Sequence, residues 1–253
     1  MDLEGQLLGA DRPEWVKILT VLILAVDTSS RQCSLAVLRD REVLATTGGF
    51  SDEPYATRLF GDLSRVLGQA RLKVEQIELF AVATGPGSFT GLRVGLTAVK
   101  GWAEVFGRPI AAISGLEAVA IQAGSTDRLL AAVIDARGGQ LFGAMFRREP
   151  AGSELQLMGE EVVLGSEEYF RWVARQSGGK APLFVTPTVQ AVETGLAASS
   201  LAGAPVEEVS GELAPFIGRL GYARGLRGQL VDALGLEANY IRRSDAEVKR
   251  EGG

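Results

Sequence analysis

The sequence predicts an α/β protein built from two copies of one unit, β-β-β-α-β-α. Three observations carry this. Apolar runs of strand length alternate with longer segments whose apolar residues recur every three or four positions. The same order of elements occurs twice. The first strand of each copy ends in an aspartate, Asp27 and then Asp135. The order describes a duplicated ribonuclease-H-like fold, with mixed sheets flanked by helices.

In the first copy, Lys17–Val26 reads as strand one. Cys33–Leu38 and Glu42–Thr46 read as strands two and three, and the short links between them suit an antiparallel meander. Ser51-Asp52-Glu53-Pro54 reads as a helix start, with a capping side chain, acids in the first turn and a proline near the first position. That helix runs to about Ala70, with Tyr55, Leu59, Leu63, Val66 and Ala70 on one stripe. Strand Leu79–Ala83 and helix Thr90–Phe106 complete the unit. In the second copy, Leu129–Ile134 is the first strand. Gln140–Phe146 follows across a Gly138-Gly139 turn, and Glu161–Leu164 is a third strand. Helix Ser166–Gln176, strand Leu183–Thr186 and helix Thr188–Ala198 come next. Glu212–Leu226 reads as a further helix and Asn239–Arg242 as a short terminal strand. The expected division is an extension over residues 1–15, domains over 16–110 and 111–244, and a frayed tail over 245–253. Met1–Glu14 reads as lying outside the fold, as it would if translation began at a later start.

Composition closes several routes. The chain of 253 residues has a net charge of −5, which argues against gripping nucleic acid broadly by itself. It has no histidine, so Ser-His-Asp and Cys-His mechanisms are closed, as is every histidine metal ligand. Thr28, Ser29 and Ser30 therefore read as turn formers, not nucleophiles. The one cysteine, Cys33, rules out an internal disulfide and a cysteine metal cluster, and a lone thiol fits the cytoplasm. The apolar run Ile18–Val26 is too short to span a membrane. The acidic stretch before it does not read as a signal peptide.

The most specific feature is Gly85-Pro86-Gly87-Ser88-Phe89-Thr90-Gly91-Leu92-Arg93-Val94-Gly95, between a strand and a helix. Glycines there permit positive φ and close approach, and the free N–H groups of a helix start can hold an anion. Neither the Rossmann glycine pattern nor a Walker A lysine is present. Together with Ile23-Leu24-Ala25-Val26-Asp27-Thr28-Ser29, Ile134-Asp135-Ala136-Arg137 and the ending Asn239-Tyr240-Ile241-Arg242, this stretch resembles the bacterial TsaB (YeaZ) family. The motifs span nearly the whole chain.

That resemblance implies the actin/Hsp70/sugar-kinase-like fold. It implies work in forming threonylcarbamoyladenosine beside the anticodon of tRNA, as a non-catalytic subunit. The implied partners are the paralogue TsaD, which holds the metal and performs the transfer, and the ATPase TsaE. A homodimer is implied when the chain is alone, with tRNA met only through the complex. Where the family carries a histidine near the start of its first helix, this chain has Tyr55-Ala56-Thr57. The rival readings are a kinase-like ATPase of the same superfamily and a glycopeptidase.

Two sets of candidate site residues follow. On helix Thr90–Phe106, Leu92, Leu96, Val99, Ala103 and Phe106 make one apolar stripe. Gly91, Gly95, Ala98, Trp102 and Val105 make a second, so the apolar arc is wider than one sheet contact needs. Glycines four apart would let another helix approach, either from a partner or from within the domain. Ala56, Phe60 and Leu67 widen the first helix likewise. The expected partner face is Tyr55, Leu59, Phe60, Leu63, Gly91, Gly95, Ala98 and Trp102. The expected cleft set is Asp27, Thr28, Ser29, Gly85, Gly87, Ser88 and Asp135. In it, Asp27 and Asp135 either hold a magnesium–nucleotide through water or cap local turns. Gly85, Gly87 and Ser88 either line the cleft or only form the turn. Arg137 pairs with Asp135 or with the tail. No tightly bound cofactor is expected, with ATP or ADP at the partner interface as the candidate.

Overall fold

The computed structural model describes residues 20–124, 129–148 and 155–241. The expected leader and tail, the start of the expected first strand at Lys17–Leu19, and Arg242 lie outside these residues.

Two five-stranded sheets repeat one topology. The first contains β1 (Leu22–Asp27), β2 (Ser34–Arg39), β3 (Glu42–Gly48), β4 (Leu79–Gly85) and β5 (Ile110–Ser114), in the order β3-β2-β1-β4-β5. The second contains β6 (Leu129–Arg137), β7 (Gln140–Arg148), β8 (Leu155–Gly165), β9 (Leu183–Thr186) and β10 (Val206–Glu208), in the order β8-β7-β6-β9-β10. In each sheet the first three strands form an antiparallel meander and the last two run parallel to the first. The matched order is that of the duplicated ribonuclease-H-like unit the sequence predicts.

The strands read as continuous apolar runs because both faces of each sheet are covered. Alternation along β1 sorts its residues. Leu24 and Val26 face helices α1 (Tyr55–Ala70) and α2 (Phe89–Phe106), where Leu59, Val66, Leu92 and Val99 pack. Ile23 and Ala25 face inward, toward α3 (Gly115–Ala120), α6 (Ala214–Leu226) and the inner face of the second sheet at Leu130, Ala132 and Ala144. The outer face of that sheet buries Tyr169, Phe170 and Val173 of α4 (Ser166–Gln176) and Val192 and Leu196 of α5 (Gln190–Ala197). Among the described residues no helix is long and apolar enough to cross a membrane.

Four expectations need correction. Each copy carries a fifth strand, β5 and β10, that periodicity does not reveal. Ile110-Ala111-Ala112-Ile113-Ser114 is short and alanine-rich, and β10 has only three residues. The expected boundary between 110 and 111 therefore cuts β5, and α6, counted with the second copy, lies on the first sheet, where its Gly221 sits against Ala81. The start of α1 has no side-chain cap: Pro54 holds the N-cap position, and Ser51 Oγ accepts from the Glu53 amide in a separate turn. Asn239–Ile241 forms no strand.

A buried charge on α1 also escaped the apolar pattern. Asp62 is 4% exposed and sits between Arg58 and Arg65, at 3.5 Å and 2.8 Å. Arg65 also donates to Thr47 Oγ1 at 3.3 Å and Arg58 to the Gly49 carbonyl at 3.3 Å, tying α1 to β3 and the turn beyond it.

Candidate functional site

Two concavities share one wall. The first is a groove of about 500 Å3 between α1 and α2, lined by Ala56, Leu59, Phe60, Phe89, Thr90, Arg93, Val94, Thr97 and Ala98. Its lining is mostly apolar, and Phe60 stands 60% exposed at its edge. The groove follows from spacing. Small or short side chains at Ala56, Thr90, Val94, Thr97 and Ala98 leave a trough, and larger side chains at Phe60 and Phe89 border it.

The second is a cleft of about 750 Å3 between the two sheets' lobes. The turn after β1, the Gly-Pro-Gly-Ser loop, the end of β6 and the segment Asn239–Ile241 all contribute to it. Phe89 and Thr90 line both spaces.

The glycine-rich stretch serves the interior more than a ligand. A Cβ on Gly91 would stand 2.1 Å from the Thr28 carbonyl oxygen and 3.1 Å from the Tyr55 ring. One on Gly95 would stand 2.3 Å from Thr28 Oγ1, which itself donates to the Gly91 carbonyl at 2.7 Å. So these glycines admit the turn after β1, not another helix, and the expectation of a glycine-lined partner face is corrected on that ground. Gly87 is packed against Ser29, whose carbonyl accepts from the Ser88 amide at 2.7 Å. Ser88 caps α2, its hydroxyl accepting from the Gly91 amide at 3.2 Å. Gly85 has φ of +133° and carries the Asn239 carbonyl against it.

Of the expected partner face, the structure brings Leu59, Phe60 and Ala98 to the groove. Tyr55 lines the cleft instead. Leu63 is in the core, and Trp102 turns inward, its ring 6.0 Å from that of Phe80. Phe89, Arg93, Val94 and Thr97 were not singled out as groove residues.

Of the expected cleft set, Ser29, Gly87, Ser88 and Asp135 line the cleft, while Thr28 and Gly85 lie beneath its surface. Asp27 is fully buried and does not reach the cleft. Its Oδ1 accepts from the Ser29 amide at 2.9 Å, and its Oδ2 has no hydrogen-bond partner. Burial pushes its carboxyl above the ordinary aspartate range, opposed by hydrogen bonding from Ser29. Asp135 is exposed, and its Oδ1 accepts from the Arg137 amide at 2.7 Å, closing a local turn. The two aspartates thus do not face each other across the cleft. A carboxylate pair holding a hydrated magnesium ion does not fit these residues, because one of the pair is inside the sheet.

The family model described as tRNA N6-adenosine threonylcarbamoyltransferase (TsaD) matches residues 36–178. The chain is 27% identical over 234 residues to the tRNA threonylcarbamoyladenosine biosynthesis protein TsaB of Bacillus subtilis (strain 168), covering 90% of this chain and 96% of that one. It is 34% identical over 134 residues to the protein of the same name from Escherichia coli (strain K12), covering 51% and 57% of the two chains. The solved structure of YeaZ from Pseudomonas aeruginosa superposes with a TM-score of 0.70 at 25% identity, covering 87% of this chain and 99% of that one.

Proposed function

The chain belongs to the family described as tRNA N6-adenosine threonylcarbamoyltransferase (TsaD), as a TsaB/YeaZ member, and from that premise we propose that it is a non-catalytic docking subunit in tRNA threonylcarbamoyladenosine biosynthesis. Its partner in this reading is a TsaD-like subunit, seated in the groove between α1 and α2. A TsaE-like ATPase joins the pair.

The observation that carries the reading is the groove itself. It is apolar, it is bordered by a phenylalanine left 60% exposed, and it lies where two amphipathic helices both have more apolar surface than their sheet covers. An apolar trough with an aromatic at its rim is the arrangement that accepts a helical partner. Catalysis is assigned elsewhere because the chain has no histidine and Asp27, the residue a kinase-like reading would put on magnesium, is sealed in the sheet. The net charge of −5 fits a subunit that leaves most tRNA phosphates to its partner.

The test is copurification with the same organism's TsaD-like subunit, read by size exclusion with light scattering. Wild type gives a heterodimer. Thr97→Arg and Phe60→Asp, which place charge in the groove at exposed positions, weaken it at least tenfold, about 1.4 kcal/mol. Wild type that forms no complex overturns the reading. So does a complex indifferent to both substitutions.

A further inference from the structure

The ending Asn239-Tyr240-Ile241 has no place in the groove, yet it touches the groove's wall and both lobes. The chain before it is fastened to the first lobe, with Leu236 buried against the α1–α2 side of the first sheet. The Asn239 amide donates to the Thr84 carbonyl at 2.8 Å, at the end of β4. Its own carbonyl lies where a Cβ on residue 85 would be, 2.6 Å away, so glycine there lets the segment lie flat. From the second lobe, Glu161 of β8 reaches across the seam. Its Oε2 accepts from Asn239 Nδ2 at 2.7 Å, and its Oε1 accepts from Ser114 Oγ at the end of β5. One carboxylate of the second lobe is thereby gripped by two elements held on the first.

The next residue turns toward the groove. The Tyr240 ring lies 4.9 Å from that of Phe89, and its hydroxyl accepts from Arg93 Nε at 3.3 Å. The Arg93 guanidinium in turn lies over the Phe89 ring at 3.9 Å. Phe89 and Arg93 are both groove residues, and Phe89 lines the cleft as well.

We propose that Asn239 and Tyr240 form a clasp that couples the groove to the inter-lobe cleft. With the clasp shut, Glu161 accepts from Asn239 as well as from Ser114, adding to the apolar core the lobes share, while Phe89 and Arg93 are fixed in the groove wall. Released, Phe89 and Arg93 are freed and Glu161 keeps its bond from Ser114. The clasp is built to switch. Its two residues are exposed, and it closes through a few contacts, so a ligand that needs Phe89 or Arg93 in another position shifts the balance. The effect is reciprocal: opening the lobes changes affinity at the groove by the same factor as groove binding changes opening. The proposal rests on the docking reading of the groove.

The chemistry around Glu161 supplies a readout that packing alone would not give. Burial raises its carboxyl above the ordinary range and Glu117 adds to this, while Ser114, Asn239 and Arg224 oppose it. Asn239→Asp would set a second carboxylate beside it, and two carboxylates in hydrogen-bond contact cannot both ionise without repulsion.

The experiment uses the full chain labelled with 3-fluorotyrosine, the Tyr240 resonance being assigned with Tyr240→Phe. Wild type shows a folded-position resonance. Asn239→Ala moves it to the free-ring position at pH 5 and pH 8. Asn239→Asp moves it at pH 8 and restores it at pH 5. A TsaD-like subunit shifts the wild-type resonance on binding, and Asn239→Ala changes its affinity at least threefold. A resonance unmoved by either Asn239 substitution overturns the clasp. So does a partner that binds both forms within twofold and leaves Tyr240 unshifted. If wild type binds no such subunit, the docking reading fails by itself. The clasp is then judged by Thr97→Trp, which fills the groove: a shifted Tyr240 resonance sustains the coupling, and an unshifted one refutes it.

Discussion

Helix α2 carries glycines whose substitution should act in opposite directions. Gly91 and Gly101 are both helical, so helix propensity alone predicts that alanine stabilises each by about 0.8–1 kcal/mol. Packing separates them. At Gly101 nothing lies within 4 Å of a built Cβ and the site is exposed, so Gly101→Ala realises the full gain. At Gly91 the new methyl would stand 2.1 Å from a backbone carbonyl, that of Thr28, with the Tyr55 ring at 3.1 Å. A carbonyl in a turn cannot rotate away as a side-chain tip can, so the helix or the turn must move. Overpacking of this kind costs about 1–3 kcal/mol. Moving the helix also strains the hydrogen bond from Thr28 Oγ1 to the Gly91 carbonyl, worth about 1 kcal/mol. Set against the propensity gain, Gly91→Ala is destabilised by roughly 1–3 kcal/mol. For a chain of this size that lowers the melting temperature by about 2–4 °C per kcal/mol, whereas Gly101→Ala raises it by a similar step. Paired thermal melts followed by circular dichroism read both signs at once. A Gly91→Ala protein as stable as Gly101→Ala would refute the argument that the glycine-rich stretch exists for internal closure.

Asp62→Ala should cost about 3 kcal/mol in urea unfolding, because it strands Arg58, whose side chain is only 12% exposed, without its carboxylate. Arg65→Ala, at a side chain 61% exposed, should cost under about 1 kcal/mol, and equal costs would count against the buried pair. Asp27 sets a pH dependence. Its folded pKa is raised above the ordinary 3.8, so between the two values the native state binds more protons than the unfolded one. Stability contributed by this site is therefore largest at low pH and is lost as pH rises through the folded value. Asp27→Asn should remove that slope, leaving wild type relatively more stable at pH 4 than at pH 8 against the variant. A wild-type-minus-variant difference that is flat with pH, or rises with it, contradicts the burial of the carboxyl.

Elements marked by a continuous apolar run or by a helical apolar stripe were legible in the sequence. β2, β4, α2, α4 and β9 fall within a residue or two of their expected bounds, since their apolar residues alone specify which faces are covered. What was not legible depends on contacts across the chain. β5 is recognisable only by its parallel pairing with β4, and its five residues carry no alternation of their own. β8 extends to eleven residues, well before the expected start at Glu161, because an edge strand with one open side tolerates Gln156 and Glu160. Of the second apolar stripe on α2, Gly91, Gly95 and Trp102 are covered within the domain, which the sequence does not reveal because it does not show that Thr28 occupies the space over the two glycines. At Asp27 the sequence leaves two readings open, a carboxylate in the cleft or a local turn cap, and the packed structure shows the cap, with Oδ1 accepting from the Ser29 amide beneath the cleft surface.

In the docking reading, the internal packing of Gly91 and Gly95 narrows where a partner would approach. If Gly91 and Gly95 lined a partner face, a close helix–helix crossing would be centred on the first half of α2. With Thr28 filling that space, the approach is pushed around the helix to Val94, Thr97 and Ala98, opposite Ala56 and Phe60 of α1. Arg93 then sits at the junction, with one edge on the groove and the other on Tyr240. A partner entering there would meet a charged side chain that already donates to the Tyr240 hydroxyl. Surface apolarity supplies the attraction, and the position of Arg93 determines whether that attraction reaches the cleft. This separates two effects that one substitution would confuse. Phe60→Asp removes attraction without touching the clasp, while Asn239→Ala releases the clasp, and with it the positions of Phe89 and Arg93, without changing which side chains line the groove.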